Sequence, residues 1–268
     1  MPRTSKFSRK IAGTKTEEQI VAANIDTLLI VASLQHEFNP RRIERYVTLA
    51  WESGARPIGV LNKSDLCEEV TVQQAKSEVV ALGVRVVATS AFRGDGITPL
   101  REIARSGTSA FLGSSGVGKS SLVNALLGET RQGTRDVRAA DGKGRHTTTT
   151  RQMILLPAGG LLIDTPGIRE LQLWDASAGL AHAFPDIQTL AQDCRFRDCR
   201  HQSEPGCAVR AAQRGGALQA ERLASFHKLG SEERFIEAKQ DAAVRARQTK
   251  AVKRLMKQQN RFYRDRGR

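Results

Sequence analysis

Short apolar segments alternate with amphipathic segments along the first two thirds of the chain. The segment "DTLLIVASL" at 26–34 is apolar and rich in branched side chains, which predicts a buried strand. In the segment that follows, apolar side chains recur at helical spacing from Ile43 to Ala50, and Gly54 marks the predicted helix end. This alternation predicts an α/β fold with a largely parallel sheet that binds ligands at the carboxyl ends of its strands.

The alternation continues to about residue 170. The further predicted elements are strands at 56–65 and 84–91, a helix at 71–83, a strand–loop–helix unit at 107–128 and a hairpin at 153–167. From about residue 180 the sequence has no convincing strand, holds three of the four cysteines and ends in a basic tail that favours helix. We therefore predict a basic N-terminal segment at 1–15, an α/β domain at 16–178 and a mainly helical domain at 179–268.

The positive charge of the chain is concentrated at its two ends. The 268 residues carry a formal net charge of +14. Residues 1–15 hold five basic and no acidic side chains, residues 238–268 hold eleven basic and two acidic ones, and the stretch between them is neutral. This distribution favours a polyanionic partner, nucleic acid first, over solvated tails that make no specific contact. A membrane surface is disfavoured, because the basic tail has few large apolar side chains to insert into lipid.

The sequence carries no signal for membrane insertion or secretion. No apolar run approaches the roughly 18–20 residues that a membrane helix needs, and the best one, at 25–34, contains Asp26. The N-terminus is basic but lacks the apolar segment of a secretion signal. We therefore expect a cytoplasmic protein without a membrane partner.

The sequence "GSSGVGKSS" at 113–121 fits the phosphate-loop pattern G-x-x-x-x-G-K-[ST]. Its glycines let backbone N–H groups approach phosphates, Lys119 reaches the β- and γ-phosphates, and the Ser120 hydroxyl binds Mg²⁺. A predicted strand before the loop and a predicted helix after it favour this interpretation over an ordinary glycine turn. The expected nucleotide contacts are Gly113, Ser114, Ser115, Gly116, Val117, Gly118, Lys119, Ser120 and Ser121.

Two other loops predict that the bound base is guanine. In "NKSD", Asp65 can accept hydrogen bonds from the ring N–H and the exocyclic amine of guanine, which adenine does not present together. Asn62 can bond the base edge, and the Lys63 stem can lie on its face. In "TSA", the Ala91 backbone N–H can support the base. With the phosphate loop present, these residues favour GTP over ATP, and the expected base-site residues are Asn62, Lys63, Ser64, Asp65, Ser90 and Ala91.

Two segments that follow the phosphate loop in the chain resemble nucleotide-sensing switches. In "DTPG", Asp164 can hold the Mg²⁺ shell through water and the Gly167 N–H can sense the γ-phosphate. The loop "GKGRHTTTT" at 142–150 can supply a threonine hydroxyl to Mg²⁺, for which we select Thr148; a solvated polar loop is the alternative.

The position after the DTPG glycine predicts an unusual catalytic arrangement. Many GTPases place a glutamine there to orient the attacking water, but this chain has Ile168. His146 in the threonine loop is the internal candidate for that role. An RNA or protein partner that positions His146 or supplies the missing group is another possibility, and so is a His146 without any catalytic role.

The sequence "CRFRDCRHQSEPGC" has the spacing C-x₄-C-x-H-x₅-C. Three thiolates and one imidazole complete a closed tetrahedral zinc site of the structural kind. A disulfide is disfavoured in a cytoplasmic protein, and three cysteines cannot all pair. The expected zinc ligands are Cys194, Cys199, His201 and Cys207, while Cys67 is interpreted as a lone buried thiol.

The order of these motifs along the chain, from NKSD through TSA, the phosphate loop, the threonine loop and DTPG to the cysteine array, closely resembles the circularly permuted RsgA (YjeQ) family of ribosome-dependent GTPases. The resemblance covers nearly the whole chain and includes "SRKIAG", "FNPRRIERY" and "EPGCAV". It implies a monomeric GTPase that acts late in maturation of the small ribosomal subunit, binds its rRNA and is stimulated by that particle. It also implies zinc at the matching ligands and points to His146 in catalysis.

Two further expectations accompany this resemblance. The N-terminal OB-fold domain of the family is matched only by its end, at 1–15. The alternative function is an RNA scaffold or checkpoint that uses GTP as a structural ligand with little hydrolysis. In either case the segment after DTPG runs directly into the zinc domain, which predicts that the nucleotide state sets the position of that domain.

Overall fold

The computed structural model describes residues 3–10, 18–35, 39–129, 152–164, 177–238 and 242. Its centre is a six-stranded sheet in the order β5-β4-β3-β6-β8-β7, in which β7 is antiparallel to β8 and the other pairs are parallel. The strands are β3 (Thr27–Ser33), β4 (Arg56–Asn62), β5 (Val86–Thr89), β6 (Thr108–Leu112), β7 (Gln152–Leu155) and β8 (Leu161–Asp164). The predicted α/β class with a largely parallel sheet is confirmed.

Both faces of the sheet are covered by helices. Leu28 and Ile30 belong to one core cluster, and Leu29 and Val31 belong to the other, as expected for successive side chains of a strand covered on both faces. The first cluster includes side chains of α1 (Pro40–Glu52), and the second includes those of α3 (Ile97–Ala104) and α4 (Lys119–Leu127). Helix α2 (Val70–Val80) lies beside α1 and β5.

The boundaries of α1 follow from its terminal residues. The Asn39 side chain accepts a hydrogen bond from the Arg41 N–H, and Pro40 occupies the first turn, where its missing N–H is not needed. Gly54 stands just beyond the C-terminus with φ +78°, the left-handed conformation that glycine adopts readily after a helix. Sequence analysis placed this end correctly but did not predict α3, a short helix after the left-handed Gly96.

The N-terminal segment packs against the α/β body. Strands β1 (Lys6–Lys10) and β2 (Glu18–Ala23) form a separate antiparallel pair that sequence analysis did not predict. The Lys6 N–H donates to Ser53 O at 2.9 Å, and the Phe7 side chain is buried in the core. Since β1 and β2 lie on either side of residue 15, the predicted boundary there falls between two paired strands.

The regular secondary structure of the described C-terminal residues is helical. They form α5 (Ser177–Ala183), α6 (Pro185–Ala191), α7 (Ala208–Arg214) and a helix over 220–238, here α8. Helix α5 packs on α1 so closely that a Cβ on Gly179 would lie 2.4 Å from Thr48 O. Among the described residues, no helix has the length and apolar character needed to cross a membrane.

Candidate nucleotide site and metal centre

Three of the predicted loops lie at the same edge of the sheet. They follow β4, β5 and β6, which are parallel to their neighbours, so their carboxyl ends meet on one side. The loops carry NKSD, TSA and the phosphate-loop sequence, respectively. Residues far apart in the chain are thereby brought together.

The phosphate loop has little space around its first and last glycines. A Cβ on Gly113 would lie 2.4 Å from Val31 O, and one on Gly118 would lie 2.3 Å from Asn62 Nδ2. Gly116 and Gly118 also have positive φ, at +82° and +93°. These positions therefore favour glycine for steric and for backbone reasons.

Lys119 begins α4 directly after this loop, and Ser120 and Ser121 follow it in the first turn. The Lys119 Nζ donates hydrogen bonds to Gly113 O at 2.8 Å and Ser114 O at 2.7 Å, so the ammonium lies across the loop. The helix N-terminus adds backbone N–H groups that have no partner within the helix, together with the positive end of the helix dipole. This arrangement fits an anion such as a phosphate chain.

Asn62 joins the three loops. Its side chain is buried, and its Nδ2 donates to Val117 O in the phosphate loop at 2.9 Å. Its Oδ1 accepts from Thr89 Oγ1 and from the Ala91 N–H, both at 3.3 Å. The NKSD pattern predicts Asn62 at the base edge but does not predict this bridge. The residues within one loop carry no information about which other loops the fold places beside it.

Asp65 and Lys63 are held in defined positions beside this bridge. The Ser90 hydroxyl donates to Asp65 Oδ1 at 2.6 Å, which orients the carboxylate. Lys63 has a left-handed backbone with φ +64°, and its Nζ donates to Gln35 Oε1 at 2.7 Å. Burial lowers the pKa of Lys63, while the nearby Asp65 charge opposes the shift. Ser64 begins the short 3₁₀ turn that carries Asp65.

Helix α1 contributes residues that sequence analysis did not assign to the site. The Arg42 Nη1 donates to the Ser114 hydroxyl of the phosphate loop at 3.2 Å. A cavity beside this contact is lined by the end of β3, by α1 and by the phosphate loop, and it includes Tyr46 and Lys63. The nucleotide site is thus in direct contact with α1.

The same helix is tied to the C-terminal domain by a buried ion network. The Glu44 carboxylate accepts hydrogen bonds from Arg222 Nη1 and from the Ser225 hydroxyl of α8. Arg222 also donates to Asp186 of α6 through Nε at 2.9 Å and Nη2 at 2.8 Å. Its guanidinium carbon lies 4.2 Å from the centre of the Phe184 ring. Burial raises the pKa of Asp186, but Arg222 and the backbone N–H groups of Ile187 and Asp186 together outweigh burial, so the pKa is lowered.

The predicted zinc ligands converge in the C-terminal domain. The ligand atoms of Cys194, Cys199, His201 and Cys207 lie within 4.8 Å of one another. Cys194 Sγ lies 3.9 Å from Cys207 Sγ, and the two sulfurs lie 3.6 and 3.5 Å from His201 Nδ1. Zn–S bonds of about 2.3 Å and a Zn–N bond of about 2.0 Å at tetrahedral angles require separations of about 3.8 and 3.5 Å. The donor set and its spacing therefore fit a zinc ion.

The surroundings of the cluster favour a metal-binding state. Burial lowers the pKa of His201, the neighbouring His227 lowers it further and Glu204 opposes both, so the neutral imidazole that a metal requires is favoured. The Glu204 carboxylate accepts from the N–H groups of Arg200, Gln202 and Ser203 at 2.8–3.0 Å. These hydrogen bonds hold the loop between Cys199 and Cys207 in place. Cys67 is half-buried and lies apart from the cluster.

The switch residues are only partly within the described structure. Asp164 is the last residue of β8 and pairs with Gln152 across the predicted hairpin. His146, Thr148, Gly167 and Ile168 lie outside the described residues. Their assignments stay predictions.

Comparison with known proteins places the chain in a family. Residues 1–174 match the family model of the RsgA GTPase. The chain is 51% identical over 238 residues to the small ribosomal subunit biogenesis GTPase RsgA 2 of Vibrio parahaemolyticus, an alignment that covers 88% of this chain and 66% of that protein. The chain thus spans about two thirds of the length of this relative.

Solved structures show the same fold. The chain resembles YjeQ from Thermotoga maritima with a TM-score of 0.64 and 28% identity, over 87% of this chain and 76% of that one. It resembles YloQ, described as a circularly permuted GTPase, with a TM-score of 0.61 and 25% identity, over 87% of this chain and 81% of that one. The loops after β4 and β5 precede the phosphate loop after β6, as such a permutation requires. The chain belongs to the RsgA GTPase family of circularly permuted GTPases.

Proposed function

We propose that this chain binds and hydrolyses GTP, and that it assists late maturation of the small ribosomal subunit through contact with its rRNA. The observation that carries the nucleotide part is the junction at Asn62, which fastens the phosphate loop and the TSA loop to the NKSD strand. The relative named as a small ribosomal subunit biogenesis GTPase supports the ribosomal part.

The base and the phosphates would be held by different loops. Asp65, oriented by Ser90, would accept the hydrogen bonds that distinguish guanine, and the Lys63 stem would lie against the base. Lys119 would exchange its two carbonyl contacts for phosphate oxygens. Mg²⁺ neutralises phosphate charge when it is bound; Ser120 and Thr148 would ligate it, and Asp164 would hold it through water. The Gly167 N–H would contact the γ-phosphate.

The attacking water requires a group other than residue 168, because isoleucine cannot hydrogen-bond to water. We assign this role to His146, aided by the ribosomal particle. His146→Ala should reduce the turnover number by about 10²-fold or more, the range typical of lost general acid–base or positioning groups, while GDP affinity changes little. Equal losses of turnover and GDP affinity would exclude a purely catalytic role.

The C-terminal domain would provide the contact with RNA. In this assignment the GTPase domain is 16–178, and the zinc-binding domain with its basic tail is 179–268. One structural zinc ion would fix the loop around Cys194 to Cys207, and the tail would contact phosphates, so binding should weaken as salt rises. A ribosomal partner implies a cytoplasmic protein, and we propose that it acts as a monomer.

Steady-state GTP hydrolysis with and without purified small ribosomal subunits tests the proposal. We expect slow turnover by the protein alone and a large stimulation by the particle. A Lys119→Ala variant at the same concentration serves as the control for contaminating GTPases. The proposed hydrolase would be contradicted if the chain binds guanine nucleotide but its turnover does not exceed that of the Lys119→Ala variant, either with or without ribosomal subunits.

The second candidate is an RNA scaffold or checkpoint that uses GTP as a structural ligand. Ile168 favours it, because the chain lacks the usual water-orienting side chain at that position. Phosphate release over many turnovers separates the two functions: a hydrolase releases many phosphates per protein molecule, and a scaffold releases at most one.

A further inference from the structure

Phe92, in the loop that follows β5, exposes its ring to an unusual extent. It is 92% exposed, more than any other large apolar side chain in the described part of the chain. The next most exposed are Leu155 at 71% and Met153 at 68%, both on the edge strand β7. A single exposed apolar side chain is common on protein surfaces, so exposure alone does not indicate a binding role for Phe92. The position of its loop does.

The loop that carries Phe92 is tied down by its own backbone. The Ser90 N–H donates to Asp95 O at 2.9 Å, and the Gly94 N–H donates back to Ser90 O at 2.8 Å. The Arg93 N–H donates to the Ser90 hydroxyl at 3.0 Å. Phe92 therefore stands at the tip of a closed, hydrogen-bonded turn.

This turn is fastened to the loop that would select the base. The residues immediately before Phe92 hold Asp65 through the Ser90 hydroxyl and Asn62 through the Ala91 N–H. On the phosphate-loop side, Lys63 Cε lies 4.0 Å from the position of a Cβ built on Gly118. Asp65 and Asn62 are thus held by the two residues that directly precede the exposed Phe92 ring, while the Lys63 stem lies near the phosphate loop.

A flat purine is the partner that fits this arrangement. Aromatic rings stack on any nucleobase, because every base offers a π-face. A large aromatic ring gains most when it covers another apolar or π surface. The hydrogen-bonding groups that read the base edge are supplied by Asp65 and its neighbours, so a face contact is what this turn can add.

We propose that Phe92 stacks on the guanine base of the bound nucleotide, opposite the Lys63 stem, and positions the base for Asp65. This inference rests on the proposed guanine-nucleotide site and adds a residue that the NKSD and TSA motifs do not contain. Phe92 supplies affinity, and Asp65 supplies the choice of base.

Nucleotide titration of the full chain tests this division. Phe92→Ala should raise the Kd for GDP by about tenfold, within the range of base–aromatic stacking contacts. Phe92→Tyr should retain most of the affinity. Because stacking does not depend on the exocyclic amine, Phe92→Ala should leave the ratio of IDP to GDP affinity unchanged, whereas Asp65→Asn should change it.

A matched control and a direct optical signal complete the test. Phe235→Ala removes a ring that is 60% exposed in α8, far along the chain from the base site, and should leave the Kd for GDP unchanged. In a Phe92→Trp variant, GDP should quench the added tryptophan fluorescence. The ring lies outside the core, so the substitutions should preserve the fold, which the melting temperature verifies.

Two results would overturn the inference. One is an unchanged Kd for GDP in Phe92→Ala; if stimulation by ribosomal subunits is weaker at the same time, the ring belongs to a partner surface. The other is a changed ratio of IDP to GDP affinity, which would make Phe92 a reader of the base edge. Failure of the proposed function is distinguishable, because the wild-type chain itself would then bind no guanine nucleotide.

Discussion

Removing the Glu44 carboxylate should weaken the attachment of α1 to the C-terminal helices. The Glu44 side chain is fully buried, and the side chain of its partner Arg222 is 5% exposed. In Glu44→Ala the Arg222 guanidinium keeps Asp186 and the carbonyls of Val80 and Ala183 but loses one of its two carboxylates. The Ser225 hydroxyl loses its acceptor at the same time.

The magnitude follows from burial. Breaking a buried ion pair by removing one partner typically costs about 3–5 kcal/mol, because the remaining charge is left in a medium that solvates it poorly. Asp186 still compensates part of the Arg222 charge, so we expect about 3 kcal/mol for Glu44→Ala. Replacing Arg222 together with both of its carboxylate partners, as in Glu44→Leu with Asp186→Asn and Arg222→Met, should cost less than the single change, since none of the three charges is then left without its partner.

The chain contains a matched control. Arg45 and Glu232 also join α1 to α8, at 2.7 Å, but their side chains are 29% and 30% exposed. Because water and salt screen such a pair, Glu232→Ala should cost about 0–1 kcal/mol. The comparison keeps the residue type and the pair of helices constant, while the burial and the number of partners differ.

Urea unfolding followed by tryptophan fluorescence measures both changes. Trp51 in α1 stacks on His182 in α5 with ring centres 5.6 Å apart, so it reports on this interface directly. A Trp174→Phe background removes the only other tryptophan. If Glu44→Ala and Glu232→Ala shift the free energy of unfolding equally, or if Glu44→Ala stays within about 0.5 kcal/mol of wild type, the argument from burial is wrong.

Two further predictions concern the metal centre. Chelation of zinc should lower the melting temperature and unfold the loop around the four ligands, because a closed tetrahedral site contributes folding free energy. Circular dichroism measured before chelation, after chelation and after zinc is restored checks this. An unchanged melting temperature would contradict the prediction. Backbone N–H groups of Glu204 itself, Arg200, Gln202 and Ser203 lower the pKa of Glu204 to about 2, against an ordinary value of 4.5. The stabilisation of the fold by the Glu204 carboxylate is therefore fully present above about pH 4.5 and is lost as the pH falls towards 2. The difference in melting temperature between wild type and Glu204→Gln should shrink across that range of pH. A difference that grows on acidification would contradict the assignment.

The sequence predicted what is encoded locally. The phosphate loop, NKSD and the cysteine array are each contained within a few residues, and the residue types state their chemistry directly. Strands and helices around them followed from apolar periodicity. The short helix α3 was missed because eight residues provide barely two turns of pattern, and the β1–β2 pair was missed because its strands are short and the pairing joins separate segments.

The residues that connect these units were not predictable from the sequence alone. Glu44 and Arg222 are 178 positions apart, and nothing in the pattern around either one points to the other. The same is true of Arg42 and Ser114, which are 72 positions apart. A buried charge at an amphipathic helix position looks like an ordinary surface residue until the fold places its partner beside it.

These connections suggest how the permuted order of the chain serves its function. Arg42 contacts the phosphate loop, and Glu44, only two residues later on the same helix, holds the C-terminal domain through Arg222. Helix α5, which follows the DTPG segment in the chain, packs on α1 without space for a methyl group at Gly179. We therefore expect a change at the proposed phosphate site to reach the C-terminal domain through α1, and also through the stretch of chain that precedes α5.

We therefore expect the zinc domain to change position with the nucleotide state. Spin labels on noncanonical residues, one at an exposed site of α2 and one in α7, leave the zinc cysteines untouched and measure the distance between the domains. The distance distribution should differ between a non-hydrolysable GTP analogue and GDP, and Glu44→Ala should broaden both distributions, since it loosens one of the two connections. Identical distributions in the two nucleotide states, with and without RNA, would mean that the permuted order does not transmit the state of the nucleotide. A difference that persists unchanged in Glu44→Ala would assign the transmission to the segment before α5 alone.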